Sequence, residues 1–252
     1  MIEVSNLSLS YGIRQILNDV SFTCRRGQLT SIIGKNGAGK TAAVRCLAGI
    51  HPYFGQILLD KIDLRKYSVT ERAKRISYLP QTLPDSPFTV FELASLGRRP
   101  YQMRMGKLTE EDIQIIERTL MITDMHSLSM RRVNTLSGGE KQRAYLSMVF
   151  AQNTDVIVLD EPAAYMDISV ERELYALLGK LAGEMNKTII SVMHNISYAV
   201  NNADSIVIFE NGCVSAQMNR DEAIKNDLIE EIFKVKKSVV SSKGEKETII
   251  YL

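Results

Sequence analysis

The stretch TSIIGKNGAGKTAAVRCL, residues 30–47, decides the fold. Within it GKNGAGKT matches the pattern G-x-x-x-x-G-K-[ST], with a strand-like run before it and a helix-like run after it, which is the context that this phosphate-binding motif requires. Glycines let backbone N–H groups close around phosphate oxygens, Lys40 can reach the β- and γ-phosphates, and Thr41 can bind Mg²⁺. The predicted nucleotide-binding residues are Gly34, Lys35, Asn36, Gly37, Ala38, Gly39, Lys40, Thr41 and Ala42.

A second candidate anion site lies far downstream, in LSGGEKQR, residues 136–143. A Ser, two glycines and a polar continuation are typical of a helix start, where the first N–H groups are unpaired and the helix dipole is positive. We therefore predict that Ser137, Gly138, Gly139 and Glu140 begin a helix able to bind an anion. The patterns alone do not explain why one chain needs two such cradles.

Acidic residues follow a buried-strand run in DVIVLDEP. In doubly wound sheets, ligands bind beyond the carboxyl ends of the strands. Asp160 is therefore predicted to hold Mg²⁺ together with Thr41, and Glu161 to lie beside the metal. His194 ends the next strand-like run, TIISVMH, and we interpret it as facing the phosphates. Gln81, which follows the strand-like ISYLP, is equally compatible with a structural and a functional role.

Composition narrows the class of protein. The chain has 252 residues, of which 45% are hydrophobic and 24% charged, as expected of a globular domain large enough to bury a core. A net charge of +2 lacks the basic excess of nucleic-acid-binding surfaces, so no nucleic acid is expected. The sequence contains no long apolar run and its start lacks signal-peptide regions, while three scattered cysteines without metal-ligand spacing fit a reducing cytosol.

Strand and helix patterns alternate along the chain, which predicts an α/β fold with a mainly parallel sheet. The first run, IEVSNLSLSY, has the period of a half-exposed strand and indicates an antiparallel β portion at the N-terminus. Helical signals begin at Thr89 and include a capping-box pattern at Thr109 with Asp112. The expected organisation is a nucleotide-binding core, 1–88 and 137–220, an inserted helical subdomain, 89–136, and a C-terminal helix and tail, 221–252.

Three local patterns give further expectations. In TEEDIQIIERTLM, residues 109–121, the apolar residues at helical spacing, and hence on one face, are Ile113, Ile116, Leu120 and Met121. Asn211-Gly212 between two apolar runs predicts a hairpin turn. The Lys- and Glu-rich piece SSKGEKE, residues 241–247, is expected to be a solvated turn.

The phosphate loop, LSGGEKQR, VIVLDEP and the His after the next strand, in this order, resemble the ATP-binding subunits of ABC transporters over essentially the whole chain. The resemblance implies a P-loop ATPase that binds ATP and Mg²⁺. It also implies that Tyr11, a core or turn aromatic by pattern alone, stacks on adenine. By the same resemblance Gln81 binds the metal and links the nucleotide to the membrane partner, Glu161 polarises the attacking water, and His194 contacts the γ-phosphate.

Family members dimerise head to tail, which explains the two cradles. The cradle of residues 137–139 would cap the nucleotide held by the phosphate loop of the other chain, and residues 166–168, MDI, resemble the end of the loop that crosses to it. The resemblance therefore implies a homodimer of ATPase subunits, bound peripherally to the cytoplasmic face of the cell membrane. Its further partners would be integral membrane permease subunits and, indirectly, an extracytoplasmic substrate-binding protein.

The segment FTVFELASLGRRPY, residues 88–101, is similar to importers of ferric siderophores, haem and cobalamin. This similarity implies ATP-driven import of such a cargo. Two alternatives stay open: an ABC transporter ATPase for another cargo, such as metal ions or lipid, and a soluble ABC ATPase acting on DNA or ribosomes. The latter class typically carries a coiled-coil insertion or a second cassette, and the sequence shows neither.

Several positions depart from the family pattern. Ala42 stands where a second hydroxyl residue is common, and Met148 where an Arg is common. Two alanines, residues 163–164, replace the usual Thr-Ser after Glu-Pro, and Tyr-Met, residues 165–166, replaces a small residue and Leu. The catalytic carboxylates are intact, so dimer contacts and turnover rate are the properties that these changes affect.

Overall fold

The structure is a computed structural model that describes residues 1–102, 106–240 and 248–252. Within these ranges the chain forms twelve β-strands and nine α-helices, joined by turns and short 3₁₀ segments. The strands are β1 Ile2–Tyr11, β2 Arg14–Cys24, β3 Leu29–Gly34, β4 Phe54–Leu59, β5 Ile62–Asp63, β6 Ile76–Leu79, β7 Val156–Asp160, β8 Thr188–Val192, β9 Ser205–Glu210, β10 Cys213–Asn219, β11 Lys237–Val240 and β12 Thr248–Tyr251. The helices are α1 Lys40–Leu47, α2 Val69–Ala73, α3 Val90–Leu96, α4 Glu110–Ile122, α5 Gly138–Ala151, α6 Ile168–Gly183, α7 Ile196–Asn202, α8 Arg220–Lys225 and α9 Leu228–Phe233.

One compact unit comprises Met1–Leu64 and Tyr175–Leu252. It contains an antiparallel sheet in the order β2-β1-β4-β5 and a second sheet in which β3 lies between β8 and β9. Strands β8 and β9 run parallel to β3, and β10 pairs antiparallel with β9 at the edge. The expected α/β class, with parallel strands and an antiparallel N-terminal portion, is confirmed.

Burial patterns explain why these strands form. Every residue of β3 before Gly34 is buried, as a strand covered on both faces requires. In β1 buried and exposed residues alternate, with Ile2 and Val4 inside, so one face of that sheet remains open to solvent. The alternation shifts at Asn6, which has a φ of 50° beside a register irregularity, and resumes with Leu7 buried.

The second unit comprises Arg65–Leu174. Strands β6 and β7 pair in parallel within it, with Ile76 opposite Val156 and Leu79 opposite Leu159. Helices α3, α4 and α5 pack against one another, and α5 also contacts β6. The segment 89–136, expected to be a helical subdomain, lies inside this larger unit, and its separate boundaries stay a proposal.

Three predicted helix starts are confirmed by their caps. The hydroxyls of Thr89, Thr109 and Ser137 each accept a hydrogen bond from the backbone N–H three residues on. The acidic side chain at that third position accepts in return from the backbone N–H of the cap residue. Each reciprocal pair satisfies two N–H groups that a helix start would otherwise leave without partners.

Helix α4 buries two of the four apolar residues at helical spacing, Ile116 and Leu120, and leaves the other two partly exposed. Ile113 and Met121 are 39% and 61% exposed, whereas Asp112 and Thr119 are both 5% exposed. The expectation of one continuous apolar face was therefore wrong at these two positions. Asp112 is inside because it pairs with the buried Arg98, at 2.8 Å, so the buried face of the helix includes a polar contact beside its apolar residues.

Two further differences concern strands and the C-terminus. Strand β2 was not anticipated, although it forms the longest pairing partner of β1. The segment 221–252 was expected to contain one helix and a tail. It contains most of α8, the whole of α9 and the two strands β11 and β12. The predicted solvated turn at residues 241–247 lies outside the described residues.

Candidate functional site

The phosphate loop connects the end of β3 at Gly34 to the start of α1 at Lys40. Gly37 and Gly39 have φ values of 78° and 99°, in the left-handed region that glycine adopts readily. A Cβ at Gly37 would meet no described atom within 4 Å, whereas one at Gly39 would lie 2.8 Å from Leu17 Cδ2. The loop is thus packed on its inner side and open at Gly37, as a phosphate cradle must be.

Lys40 holds its ammonium inside this cradle. The residue is 5% exposed, and its Nζ donates to the carbonyl oxygens of Gly34 at 2.7 Å and Lys35 at 3.0 Å. A buried charge needs such partners, and an arriving phosphate oxygen could replace either carbonyl. Thr41 follows in the first turn of α1, and Ala42 beside it has no hydroxyl to add to a phosphate contact.

The turn between β9 and β10 supports the phosphate loop. Asn211 and Gly212 have φ values of 49° and 81°, both left-handed as a tight hairpin turn requires, which confirms the predicted turn. The N–H of Gly212 donates to the Ala38 carbonyl at 3.1 Å, and the Gly212 carbonyl accepts from the Asn18 N–H at 2.9 Å. The shape of the loop therefore depends on a hairpin outside its own motif.

Tyr11 lies in the same unit, at the end of β1, with half of its side chain exposed. The chain turns directly after it, at Gly12 with a φ of 58°. Its ring meets the His51 ring edge-on, with centroids 5.6 Å apart and an interplanar angle of 76°. This exposure leaves room for a base to stack on Tyr11.

His194 lies two residues beyond β8, which ends at Val192 and is shorter than the predicted run. The N–H of Met193 donates to the Ile32 carbonyl at 3.0 Å. This bond places the end of β8 at the sheet edge where β3 passes into the phosphate loop. His194 is exposed there, and its contact with the γ-phosphate stays a prediction.

The predicted carboxylates lie in the second unit, at the end of β7. Asp160 is fully buried, and the Tyr78 hydroxyl lies 3.4 Å from its Oδ2 as a donor. Glu161 has a φ of 56°, a strained value for a residue with a side chain, and such strain is concentrated at functional sites. Gln81 Nε2 donates to Glu161 Oε2 at 2.8 Å. The structure thus brings together Gln81 and Glu161, which the sequence could only place on separate strands.

The second cradle starts α5 in the predicted manner. Ser137 caps the helix and Glu140 closes the capping box, so the N–H groups of Gly138 and Gly139 are the ones left facing outward. Both Ser137 and Gly138 are exposed. A helix of this length with a bare start attracts an anion, and the exposed position suits an anion supplied by another molecule.

Two contacts join the loop after Gln81 to helix α5, which starts in the LSGGEKQR motif. Lys141 Nζ lies 2.6 Å from Asp85 Oδ1, and the Tyr145 hydroxyl donates to the Pro84 carbonyl at 2.8 Å. The Lys141 charge lowers the pKa of Asp85, first through their hydrogen bond and then through the charge itself. No sequence pattern pointed to these pairs, because they join residues that are far apart along the chain.

Tyr165, one of the departures from the family pattern, lies beside the cradle. It has a φ of 70° and is 81% exposed. A Cβ on Gly138 would come within 3.3 Å of Tyr165 Cβ, and one on Gly139 within 3.4 Å of the Tyr165 carbonyl oxygen. A side chain at Gly138 would therefore be in tight contact with Tyr165, and one at Gly139 in ordinary contact.

The described residues fit Mg²⁺ only as a partner of a nucleotide. They contain no group of three or more His, Cys, Asp or Glu side chains placed to hold a metal. Thr41 in one unit and Asp160 in the other each carry a hard oxygen donor of the kind that Mg²⁺ prefers, and their role in binding the ion stays a prediction. Among the same residues, no helix is long and apolar enough to cross a membrane.

The chain is similar to known proteins in sequence and in structure. The family model described as ABC transporter matches residues 17–164. A probable siderophore transport system ATP-binding protein, YusV of Bacillus subtilis, is 36% identical over 235 residues, which span 92% of this chain and 85% of that protein. The iron(3+)-hydroxamate import ATP-binding protein FhuC of the same organism is 32% identical over 95% of this chain and 90% of its own length.

Among solved structures, the dimeric structure of a bacterial ABC transporter cassette matches with a TM-score of 0.79. The match has 24% sequence identity and covers 87% of this chain and 99% of that cassette. At this identity the likeness concerns the fold. It confirms the cassette architecture that the motifs indicated.

Proposed function

The chain belongs to the ABC transporter family of ATPases, and from that premise we propose that it hydrolyses ATP to power the import of a ferric siderophore across a membrane. One observation carries the ATPase assignment: a preformed phosphate loop with Lys40 buried inside it, reached by 2.7 and 3.0 Å bonds to the loop carbonyls. The names of the two relatives, siderophore transport and iron(3+)-hydroxamate import, support an iron chelate as cargo. Those names lend no support to haem or cobalamin.

The proposed mechanism relies on positioning and charge, as phosphoryl transfer generally does. Lys40 and the N–H groups of the loop bind the β- and γ-phosphates, Tyr11 stacks on adenine, and His194 contacts the γ-phosphate. Thr41, Asp160 and Gln81 would hold Mg²⁺, which would supply charge neutralisation at the phosphates. The Gln81 amide holds the Glu161 carboxylate at 2.8 Å through Oε2, and the carboxylate orients the attacking water.

The proposed assembly is a head-to-tail homodimer at the cytoplasmic face of the cell membrane. The exposed cradle at Ser137 and Gly138 supports it, because its anion would come from the partner chain. Separate integral membrane permease subunits would carry the cargo path, fed by an extracytoplasmic substrate-binding protein. The balanced net charge of +2 fits a chain without a nucleic-acid partner.

The ATPase assignment predicts that Glu161→Gln keeps ATP binding and nearly abolishes hydrolysis. The amide is isosteric but cannot accept a proton, and loss of a general base costs about 10²–10⁴-fold in rate. Phosphate release and equilibrium ATP binding are measured on the same preparation. Glu173→Gln, the same change on an exposed part of α6, serves as the control and should hydrolyse ATP normally. Turnover of Glu161→Gln near that of the control would contradict the assignment.

The cargo is tested in the native cell. Tagged chain is purified from detergent-solubilised membranes, and a many-helix permease should accompany it. Cells carrying Lys40→Ala should lose uptake of an iron–hydroxamate chelate while they retain uptake of an unrelated solute. Normal uptake of iron chelates by these cells would redirect the assignment to another cargo, and recovery of only ribosomal or DNA-binding proteins would favour a non-transport ATPase.

A further inference from the structure

His51 belongs to no motif, yet the structure places it against the aromatic residue that the proposed function assigns to adenine. The centroids of the His51 and Tyr11 rings are 5.6 Å apart, and the rings meet at 76°. Edge-to-face pairs at this separation are favourable because the positive edge of one ring meets the negative face of the other. The contact therefore restrains the orientation of the half-exposed Tyr11 ring.

The backbone holds His51 in place through the helix that starts at the phosphate loop. Gly49, with a φ of 68°, follows the C-terminal cap of helix α1. The Ile50 N–H donates to the Arg45 carbonyl at 2.9 Å. The Gly49 N–H donates to the Cys46 carbonyl, also at 2.9 Å. Together these are the bonds of a Schellman motif, which fixes the direction of the chain beyond a helix. One short helix thus fixes both Lys40 at its start and His51 after its end.

The ring nitrogen of His51 supports a contact with an aromatic face. Nε2 is buried and has no conventional hydrogen-bond partner among the described residues. The ring contact with Tyr11 is of the kind in which an aromatic ring can accept weakly from a ring N–H. Burial, and then the charge of Arg45, lower the pKa of His51, so the imidazole is neutral near pH 7.

We infer that His51 is a positioning residue for the nucleotide base: its edge contact holds the Tyr11 ring in the orientation that stacks on adenine, and α1 keeps this platform in register with the phosphate loop. The inference rests on the proposed ATPase function. It assigns His51 no contact with the phosphates. Its effect should therefore depend on Tyr11 and on the presence of a base.

The test compares ATP with inorganic tripolyphosphate, which has no base. His51→Ala should raise the KM for ATP about three- to tenfold, in line with the strength of an aromatic edge contact, and leave kcat and inhibition by tripolyphosphate unchanged. Tyr11→Ala should raise the KM further, and adding His51→Ala to it should change nothing more. His51→Phe, which keeps an aromatic edge, should restore most of the affinity. His126→Ala, on an exposed His of the other unit, is the control.

A spectroscopic readout is available because the chain contains no Trp. Tyr11→Trp places a single indole at the platform, and its fluorescence should change on ATP binding and respond less when His51→Ala is added. If His51→Ala lowers the melting temperature, His51→Leu keeps the apolar volume and takes its place.

Three results would overturn the inference about His51: an unchanged KM for ATP, an equal loss of tripolyphosphate binding, or a full further loss in the Tyr11→Ala background. Normal ATP binding by Tyr11→Ala would also overturn it, because the base would not need the platform. The proposed function fails separately, if the wild-type chain does not hydrolyse ATP.

Discussion

The Cβ that Gly212 lacks would lie 2.5 Å from the carbonyl oxygen of Ile16. Because that atom is backbone, it cannot swing aside as a flexible side chain would. The same glycine has a φ of 81° and donates its N–H to Ala38 in the phosphate loop. Gly212, which lies outside the nucleotide motif, thus has three roles: it allows the turn, it lets two backbone segments approach closely, and it supports the phosphate loop.

We expect Gly212→Ala to destabilise the protein by about 1–3 kcal/mol, the usual cost of a strained backbone position, and to raise the KM for ATP. Gly179→Ala is the matched control, since a Cβ there meets nothing within 4 Å and the residue lies inside α6. Alanine should stabilise that helix by about 0.5–1 kcal/mol. Urea denaturation and ATP kinetics measure both. Equal effects at the two glycines would show that neither φ nor the close approach matters.

At the scale of elements, a buried ion pair joins α4 to the end of α3. Arg98 and Asp112 are each 5% exposed, with Nε and Oδ1 2.8 Å apart, and Arg98 Nη1 also donates to the Ala151 carbonyl at the end of α5. Burial raises the pKa of Asp112, but hydrogen bonds from Arg98 and Thr109 and the guanidinium charge outweigh it, and the net pKa lies below the usual 3.8. Three helices therefore depend on one guanidinium.

Arg98→Met should destabilise the protein by about 3–5 kcal/mol, because it leaves a buried carboxylate without its partner. The wild-type carboxyl has a lower pKa folded than unfolded, so its contribution is complete above about pH 4 and is lost as the pH falls through the folded pKa. In the variant the Thr109 hydrogen bonds still lower that pKa while burial raises it, so the loss of stability on acidification should be smaller than in the wild type. Urea midpoints between pH 3 and 7 test this.

Arg98→Met/Asp112→Asn is the accompanying control, because it removes the buried charge and should recover part of the lost stability. Unchanged urea midpoints in Arg98→Met would contradict the assigned role.

The helix starts were predictable because capping is local. The Thr89, Thr109 and Ser137 caps each use a residue three positions on, so the sequence contains the whole interaction. Strand β2 was not predictable from its pattern. Asp19, with a φ of 52°, and several register shifts against β1 interrupt its alternation of buried and exposed residues. The burial of Asp112 on α4 depends on Arg98, which lies outside the helix, so periodicity within the helix cannot predict it.

The site divides in the same way. The phosphate loop and the Asp160-Glu161 pair are contiguous motifs, and the sequence was sufficient to predict them. Two other contacts could not be predicted, because they join residues that are distant in sequence and meet only in the folded chain. They are the hydrogen bond from Gln81 to Glu161 and the ring contact between Tyr11 and His51.

At the scale of the whole molecule, the proposed dimer, in which two copies of the chain share each site, predicts complementation. Lys40→Ala disables the phosphate loop, and Gly138→Asp adds both a charge that repels phosphate and a Cβ within 3.3 Å of Tyr165. Each variant alone should be inactive. A mixed dimer would retain one intact pairing of loop and cradle, so random mixing should restore roughly a quarter of wild-type ATPase activity. No recovery on mixing would indicate that each chain completes its own site.

The hairpin that supports the phosphate loop also bears on how the protein is made. Strand β3 lies between β8 and β9, and the Gly212 bond to Ala38 comes later still in the chain. Synthesis proceeds from the N-terminus, so the ribosome completes the loop motif long before it makes these neighbours. A nascent or prematurely terminated chain would carry the whole motif yet lack the support that shapes it. Nucleotide capture should therefore begin only when translation is nearly finished.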